Sequence, residues 1–158
     1  MGISFLALFY SQTKSTIHQQ LKDKNHFQLI DLINQGKDVR FTVTGSSMNP
    51  FLIHMRDSVI ISKPVEPFKK GDIVFFQREN GQYVMHRIHH IKKGMLYIIG
   101  DNQTDMEGPV DPKQVFGIIH TVYRKDKKIT EGDFWWVFFE KIWLHLIPFR
   151  HLIMRLYK

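Results

Sequence analysis

Cysteine is absent from this chain of 158 residues, which excludes disulfides, thiolate catalysis and cysteine-ligated zinc. That absence fits either side of a membrane. Long hydrophobic runs are scarce too. The first apolar stretch, Ile3 to Tyr10, is well under the ~18 residues a spanning helix needs. It has no basic flank, and no Ala-x-Ala-like site follows it, so it reads as an apolar arm that packs on the domain or touches lipid. Acidic residues are outnumbered, 15 against 22 Lys and Arg, for a net charge of +7. An excess of that sign points to an anionic partner, nucleic acid or an anionic membrane surface. There is no internal repeat and no low-complexity linker, and the length suits one domain with short appendages.

What is present is mostly strand. Asn25 can cap a helix, with Gln28 completing a capping box and Gly36 ending it. Phe27, Ile30 and Ile33 would share its apolar face, with Leu29 beside them. Phe41 to Thr44 alternates as a strand, and Ser58 to Ser62 is a second. Ile73 to Phe76 is a strongly β-forming run, and Asn80-Gly81 turns it into a strand over Gln82 to Ile91. Lys92 to Gly94 turns into Met95 to Ile99, a polar loop runs from Gly100 to Pro112, and Val115 to Tyr123 is a last strand. Arg124 to Lys128 reads as a charged turn. At least five closely spaced strands predict a mainly β domain that closes on itself, fully or in part.

Two features suggest chemistry. Gly45 breaks the first strand and Ser46 and Ser47 follow, which places a hydroxyl on bent backbone just past a strand end. Alone, Gly-Ser-Ser is ordinary turn chemistry. The second feature is a histidine strand: alternation puts Met85, Arg87 and His89 on one face and His86, Ile88 and His90 on the other. His86 and His90 would then stand about 13 Å apart. That is too far for one ion held at ~2.0–2.1 Å, so no metal and no cofactor is expected.

Taken together, four short boxes resemble those of type I signal peptidases, in the same order. Gly45 to Pro50, Gly-Ser-Ser-Met-Asn-Pro, is similar to the serine box, in which the nucleophile directly precedes methionine; that residue is Ser47. Lys70 to Val74 resembles the Gly-Asp-hydrophobic strand. His86-Arg87-Ile88 stands where many bacterial enzymes carry Lys-Arg, and Gly100-Asp101-Asn102 with Phe116-Gly117 resembles the last box. The boxes cover roughly residues 41 to 119.

The resemblance implies a β peptidase domain of the signal peptidase/LexA-peptidase type within the S24/S26 superfamily. Histidine in place of lysine implies the Ser-His branch, similar to the endoplasmic-reticulum and archaeal enzymes. It also implies an acidic third member from the loop after Asp101. Asp101 belongs to the box itself, Glu107 matches the family spacing, and Asp105 is the third choice. Where many bacterial relatives have an oxyanion-binding serine this chain has Gly45, so Ser46 or backbone N–H groups, that of Ser47 included, would do that work. In this mechanism Ser47 attacks the scissile carbonyl. His86 takes the proton and returns it to the leaving amine; histidine does this near neutral pH without the desolvation that lysine needs. The partner would be an extended signal or leader segment bound beside a strand.

The resemblance leaves the last part of the chain uncovered. Phe134 to Lys158 holds all three tryptophans. As one helix it would be roughly 37 Å long, with Glu140, Lys141, His145, His151, Arg155 and Lys158 on one side and Arg150 opposite. Such a basic aromatic amphipathic helix suits a membrane interface, where it would replace the family's N-terminal anchor; a helix packed on the domain's own core and a membrane-spanning helix are the alternatives. The expected organisation is an arm and helix over 1–37, a β peptidase domain over 38–125 and the tail over 126–158. Alternatives are a catalytically degenerate membrane-surface adaptor of the same fold, and a self-cleaving LexA-like repressor. The repressor would need a DNA-binding domain for which residues 1–40 are too short and too poor in basic residues. No nucleic acid is therefore expected as a partner.

Overall fold

The structure, a computed structural model, describes residues 26–157. The apolar arm over 3–10 and the capping residue Asn25 lie outside the described residues. A helix, α1, covers 26–34. Its buried face is Leu29 and Ile33, one turn apart, while Phe27 is 67% exposed, so the apolar stripe is rotated from the one expected. Gly36 ends it at φ +77°, and the Gly36 and Lys37 N–H groups close on the Ile33 and Leu32 carbonyls at 2.9 and 3.0 Å.

Among the described residues eight strands form one antiparallel sheet. They are β1 (Val39–Thr42), β2 (Asp57–Ser62), β3 (Ile73–Gln77), β4 (Tyr83–Lys92), β5 (Met95–Ile99), β6 (Glu107–Val110), β7 (Val115–Arg124) and β8 (Lys127–Thr130). The order is β1-β2-β7-β3-β4-β5-β6, with β8 on β7, so β7 is inserted between β2 and β3. The Asn80-Gly81 hairpin joins β3 to β4 as the sequence predicts, with Gly81 at φ +83°. Strands β6 and β8 escape sequence reading for a physical reason. Gly and Pro in Glu-Gly-Pro-Val and the paired lysines of Lys-Lys-Ile-Thr weaken the strand pattern, and each segment becomes a strand by pairing with one neighbour only.

The apolar run of β3 has no polar face because the sheet is covered on both sides there. Ile73 and Phe75 join the larger core with Leu29, Ile33, Phe51, Leu52, Ile119 and Val122. Val74 and Phe76 join a second core with Ile88, Leu96, Ile98 and Val110.

The tail differs from the expected single helix. It is broken into α2 (Phe134–Val137), a wide π turn (Phe138–Ile142), two 3₁₀ turns (Trp143–His145 and Ile147–Phe149) and α3 (Arg150–Tyr157). Pro148 cannot continue an α-helical ladder. Core packing decides the rest. Trp136, Phe139, Trp143 and Leu144, at helical spacing, are buried, and the Phe51 ring meets Trp136 edge-on at 5.6 Å and Phe139 at 5.0 Å. These rings complete the larger core. Arg150, alone opposite the polar stripe, is 1% exposed and points into the domain. The remaining apolar surface of the tail is Phe134, Trp135, Ile142, Phe149, Leu152 and Leu156. No described helix is long and apolar enough to cross a membrane.

Candidate active site

The loop after β1 is bent at one point and anchored at the next. Gly45 sits at φ +86°, where a side chain is strained, and its N–H donates to His54 Nδ1 at 3.1 Å. That bond requires Nδ1 to be an acceptor, so the neutral His54 ring carries its proton on Nε2. Met48, Phe51 and Leu52 then enter the core, with the Leu52 N–H on the Met48 carbonyl at 2.8 Å. Ser47 lies between the bend and the anchor, half-buried.

A second loop clamps it. The Asn102 N–H donates to the Ser47 carbonyl at 2.8 Å, and Asn102 Nδ2 donates to the Ser46 carbonyl at 3.3 Å. Gly100 is forced by this approach: a Cβ there would stand 2.6 Å from the Ser47 carbonyl oxygen and 2.8 Å from Gln103 Oε1. Sequence reading marks Gly-Asp-Asn as a family box; its physical task here is to hold the backbone of the serine turn.

His86 comes from the middle of β4, paired with Val74 of β3, and is 1% exposed. Its Nδ1 lies 2.8 Å from Glu107 Oε1, a close contact away from ideal hydrogen-bond alignment. Its Nε2 is buried with no hydrogen-bond partner. Glu107 opens β6, opposite Ile98 of β5. Its neighbour Gly108, at φ +151°, lets the backbone pass Tyr97: a Cβ would be 2.9 Å from that ring. Arg78 forks onto the same carboxylate, Nε to Oε2 and Nη2 to Oε1, both at 2.5 Å. Burial alone would raise the Glu107 pKa, but the bonds and charges of His86 and Arg78 outweigh it and lower it to about 2. Glu107 is therefore an anion throughout the range in which histidine titrates. Sequence reading misses Arg78; a cation closing the strand before Asn80-Gly81 is the signal that could have found it.

The acid ranking is corrected by this geometry. Asp101 is fully buried and its carboxylate is spent on Arg87, with Nε to Oδ1 at 3.1 Å and Nη2 to Oδ2 at 3.0 Å. A carboxylate held by a guanidinium fork on the opposite face of β4 from His86 braces the sheet instead of touching the imidazole. Asp105 is exposed in the loop. Only Glu107 of the three meets His86. Ser46 is exposed, with its carbonyl on Asn102. The histidine alternation also fails past Ile88, where a bulge shifts the β4–β5 register and brings His89 Nδ1 within 2.9 Å of His90 Nδ1. Among the described residues no group of three or more His, Asp or Glu is arranged to hold a metal.

Ser47 and His86 line one pocket of about 590 Å³, together with Gly45, His54, Arg78 and Tyr83. A hydroxyl, a buried imidazole with one free nitrogen and a fixed anion behind the other nitrogen make a set suited to acyl transfer. Lys70 and Lys92 are not among the lining residues, so neither lysine stands in for His86 as base there.

The depressed Glu107 pKa has a consequence for stability. A carboxylate titrating lower in the fold than in the unfolded chain stabilises the fold above its unfolded value of 4.5 and loses that contribution as pH falls towards 2. The side chain is 24% exposed, so solvent screening leaves about 1–2 kcal/mol. Glu107→Gln should lower stability by that amount at pH 7, with the gap closing between pH 4.5 and 2 in urea titrations. A gap independent of pH would mean that the ion pairs contribute nothing.

An antiparallel β domain with a serine turn and a buried histidine lining one pocket fits a class, the serine peptidases of mainly β fold. Residues 9–123 match the family model described as Peptidase S24-like, and the chain belongs to that family. The match places it in the S24/S26 superfamily, as the four boxes imply. No curated protein matches the chain.

Proposed function

We propose that this protein is a serine endopeptidase of the signal peptidase kind, in which Ser47 is the nucleophile, His86 the general base and Glu107 the group that orients and stabilises the imidazolium. One observation carries the reading: His86 is buried with Nδ1 against a fixed anion and Nε2 unpartnered, in the pocket that Ser47 lines. Glu107 selects the tautomer with its proton on Nδ1, leaving Nε2 to take the Ser47 proton. The Ser47 N–H is the oxyanion donor, and Gly45 offers no hydroxyl to help it. The substrate is an extended signal or leader segment of an exported protein or peptide, laid along the pocket between the serine turn and the Tyr83 end of β4. Cleavage of a synthetic leader peptide by the wild type, and none by Ser47→Ala, is the expected result. Equal cleavage by both would refute it.

The protein works at an anionic membrane surface in this reading. Phe149, Leu152 and Leu156 follow one another at helical spacing and are 59%, 61% and 82% exposed, with Arg155 exposed beside them. The wild type should float with vesicles containing anionic lipid, less so in high salt, because each basic residue adds about 1 kcal/mol that salt screens. A triple Asp variant at these three positions should stay folded and stop floating. Unchanged flotation would assign attachment elsewhere.

A further inference from the structure

The serine turn is held by residues 100–103, and that loop is in turn held by the tail, beyond the residues that match the family. Arg150 Nη1 donates to the Gly100 carbonyl at 2.9 Å and to the Gln103 carbonyl at 2.7 Å, while Nη2 donates to the Trp143 carbonyl at 3.2 Å. Trp143 Nε1 donates to the Asp101 carbonyl at 2.7 Å. Thus the carbonyls of Gly100, Asp101 and Gln103 all accept from the tail. The face of the loop towards the serine turn is occupied by the Asn102 bonds and the Gly100 contact. From the other side, the Asp101 carboxylate ties the loop to Arg87, next to His86 in β4.

A buried guanidinium is an expensive way to fill space. Its desolvation is unfavourable, and an apolar side chain of similar volume would pack without that cost. Arg150 is 1% exposed, and among the described residues no carboxylate lies within ion-pair distance of it; its hydrogen-bond partners are backbone carbonyls, with the Trp143 ring 5.6 Å from the guanidinium. What a fork gives and an apolar chain cannot is a fixed orientation for two carbonyls at once.

We propose that Arg150 is a positioning residue for the peptidase site: through Gly100 and Gln103 it fixes the loop that sets the backbone of Ser47 relative to His86. Trp143 assists through Asp101. The inference rests on the reading of Ser47 and His86 as the reacting pair. It makes the tail part of the catalytic apparatus, although Arg150 touches no reacting atom. Misplacing a nucleophile by about 1 Å costs up to ~100-fold in rate. Arg150 reaches the pocket only through Gln103, whereas Tyr83, Val84 and Met85 line it from β4, so the loss should fall mainly on turnover and less on KM.

The test uses the full chain with Arg150→Met and Arg150→Lys, leader-peptide kinetics, thermal melting and hydrogen exchange read by mass spectrometry. Arg150→Met should lower kcat by about 10–100-fold with a smaller change in KM. Arg150→Lys should recover part of that loss, since an ammonium supplies a charge and single donors but no fork. Exchange should quicken in peptides covering 46–48 and 100–103, with β7 as protected as in the wild type. A kcat within error of wild type in folded Arg150→Met would overturn the inference. So would quickened exchange in β7 to the same degree, which would mean general loosening. Should Arg150→Met fail to fold, Arg150→Lys is judged by the same readings. Should the wild type show no Ser47-dependent cleavage, the peptidase reading fails by itself, and the exchange pattern alone decides whether Arg150 braces the serine turn.

Discussion

Alanine at Ser47 or at His86 is expected to remove nearly all peptide cleavage, by about 10³-fold or more, and the double variant is expected to be little worse than either single one. Residues that act as one unit are non-additive in this way, because losing either partner already disables the proton transfer on which the other depends. In the proposed mechanism each residue supplies half of a single event. Ser47 is a half-buried hydroxyl whose own carbonyl is pinned by Asn102. The imidazole of His86 has the Glu107 carboxylate 2.8 Å behind it, and Glu107 is held by the Arg78 fork. Alanine at position 86 also leaves a cavity beside Phe76, whose ring centroid is 6.2 Å away. His86→Gln keeps most of the volume and so separates a lost base from a lost fold. Multiplicative losses in the double variant would mean that the two residues act independently.

Removing residues 134–158 is expected to abolish cooperative folding. The sequence alone suggests the opposite, a tail detachable from a complete β domain. Four side chains reverse that expectation: Trp136, Phe139, Trp143 and Leu144 are at most 5% exposed. Each contributes about 2–3 kcal/mol by leaving water, together roughly 8–12. Whole-domain stability is only ~5–15 kcal/mol. The truncated chain would also leave Phe51 uncovered and the Gly100, Asp101 and Gln103 carbonyls without their donors. The expected observation is a broad, non-cooperative melt with strong binding of an apolar dye. A sharp melt near the wild-type temperature would mean that the tail only rests on a finished core.

Long apolar and alternating segments were readable in the sequence because their pattern is local. β2, β3, β4, β5 and β7 and the Asn80-Gly81 hairpin all come from such stretches. β6 and β8 are not, although each pairs with the strand just before it: Gly108 and Pro109 in one, and Lys127 and Lys128 after a turn of Lys125 and Asp126 in the other, mask the strand pattern. The tail shows the same limit from the other side. Its apolar stripe is visible, but periodicity does not say whether a stripe meets lipid or the domain's own core; the ring of Phe51 decides that. Arg150 stands out in the sequence as the one charge on the wrong side of the helix, and its burial is the reason.

The site divides along similar lines. Ser47 and His86 lie in short motifs, and the structure brings both to one pocket. The acid was ambiguous because three carboxylates crowd residues 101–107, and counting cannot tell a carboxylate that braces from one that faces the imidazole. Arg87 and Arg78 make that choice, one claiming Asp101 and the other holding Glu107 against His86. His54 carries no sequence signal at all; its bond to the Gly45 N–H exists only once the serine turn has formed.

Covalent labelling tests the reacting pair most directly. The wild type would be incubated with a fluorophosphonate and digested, and the adduct located by mass spectrometry. The expected result is a single phosphonyl group on Ser47, lost in His86→Ala and in protein treated after acid unfolding. An unlabelled Ser47, or label carried equally by Ser46 or by the His86→Ala variant, would contradict a serine activated by His86.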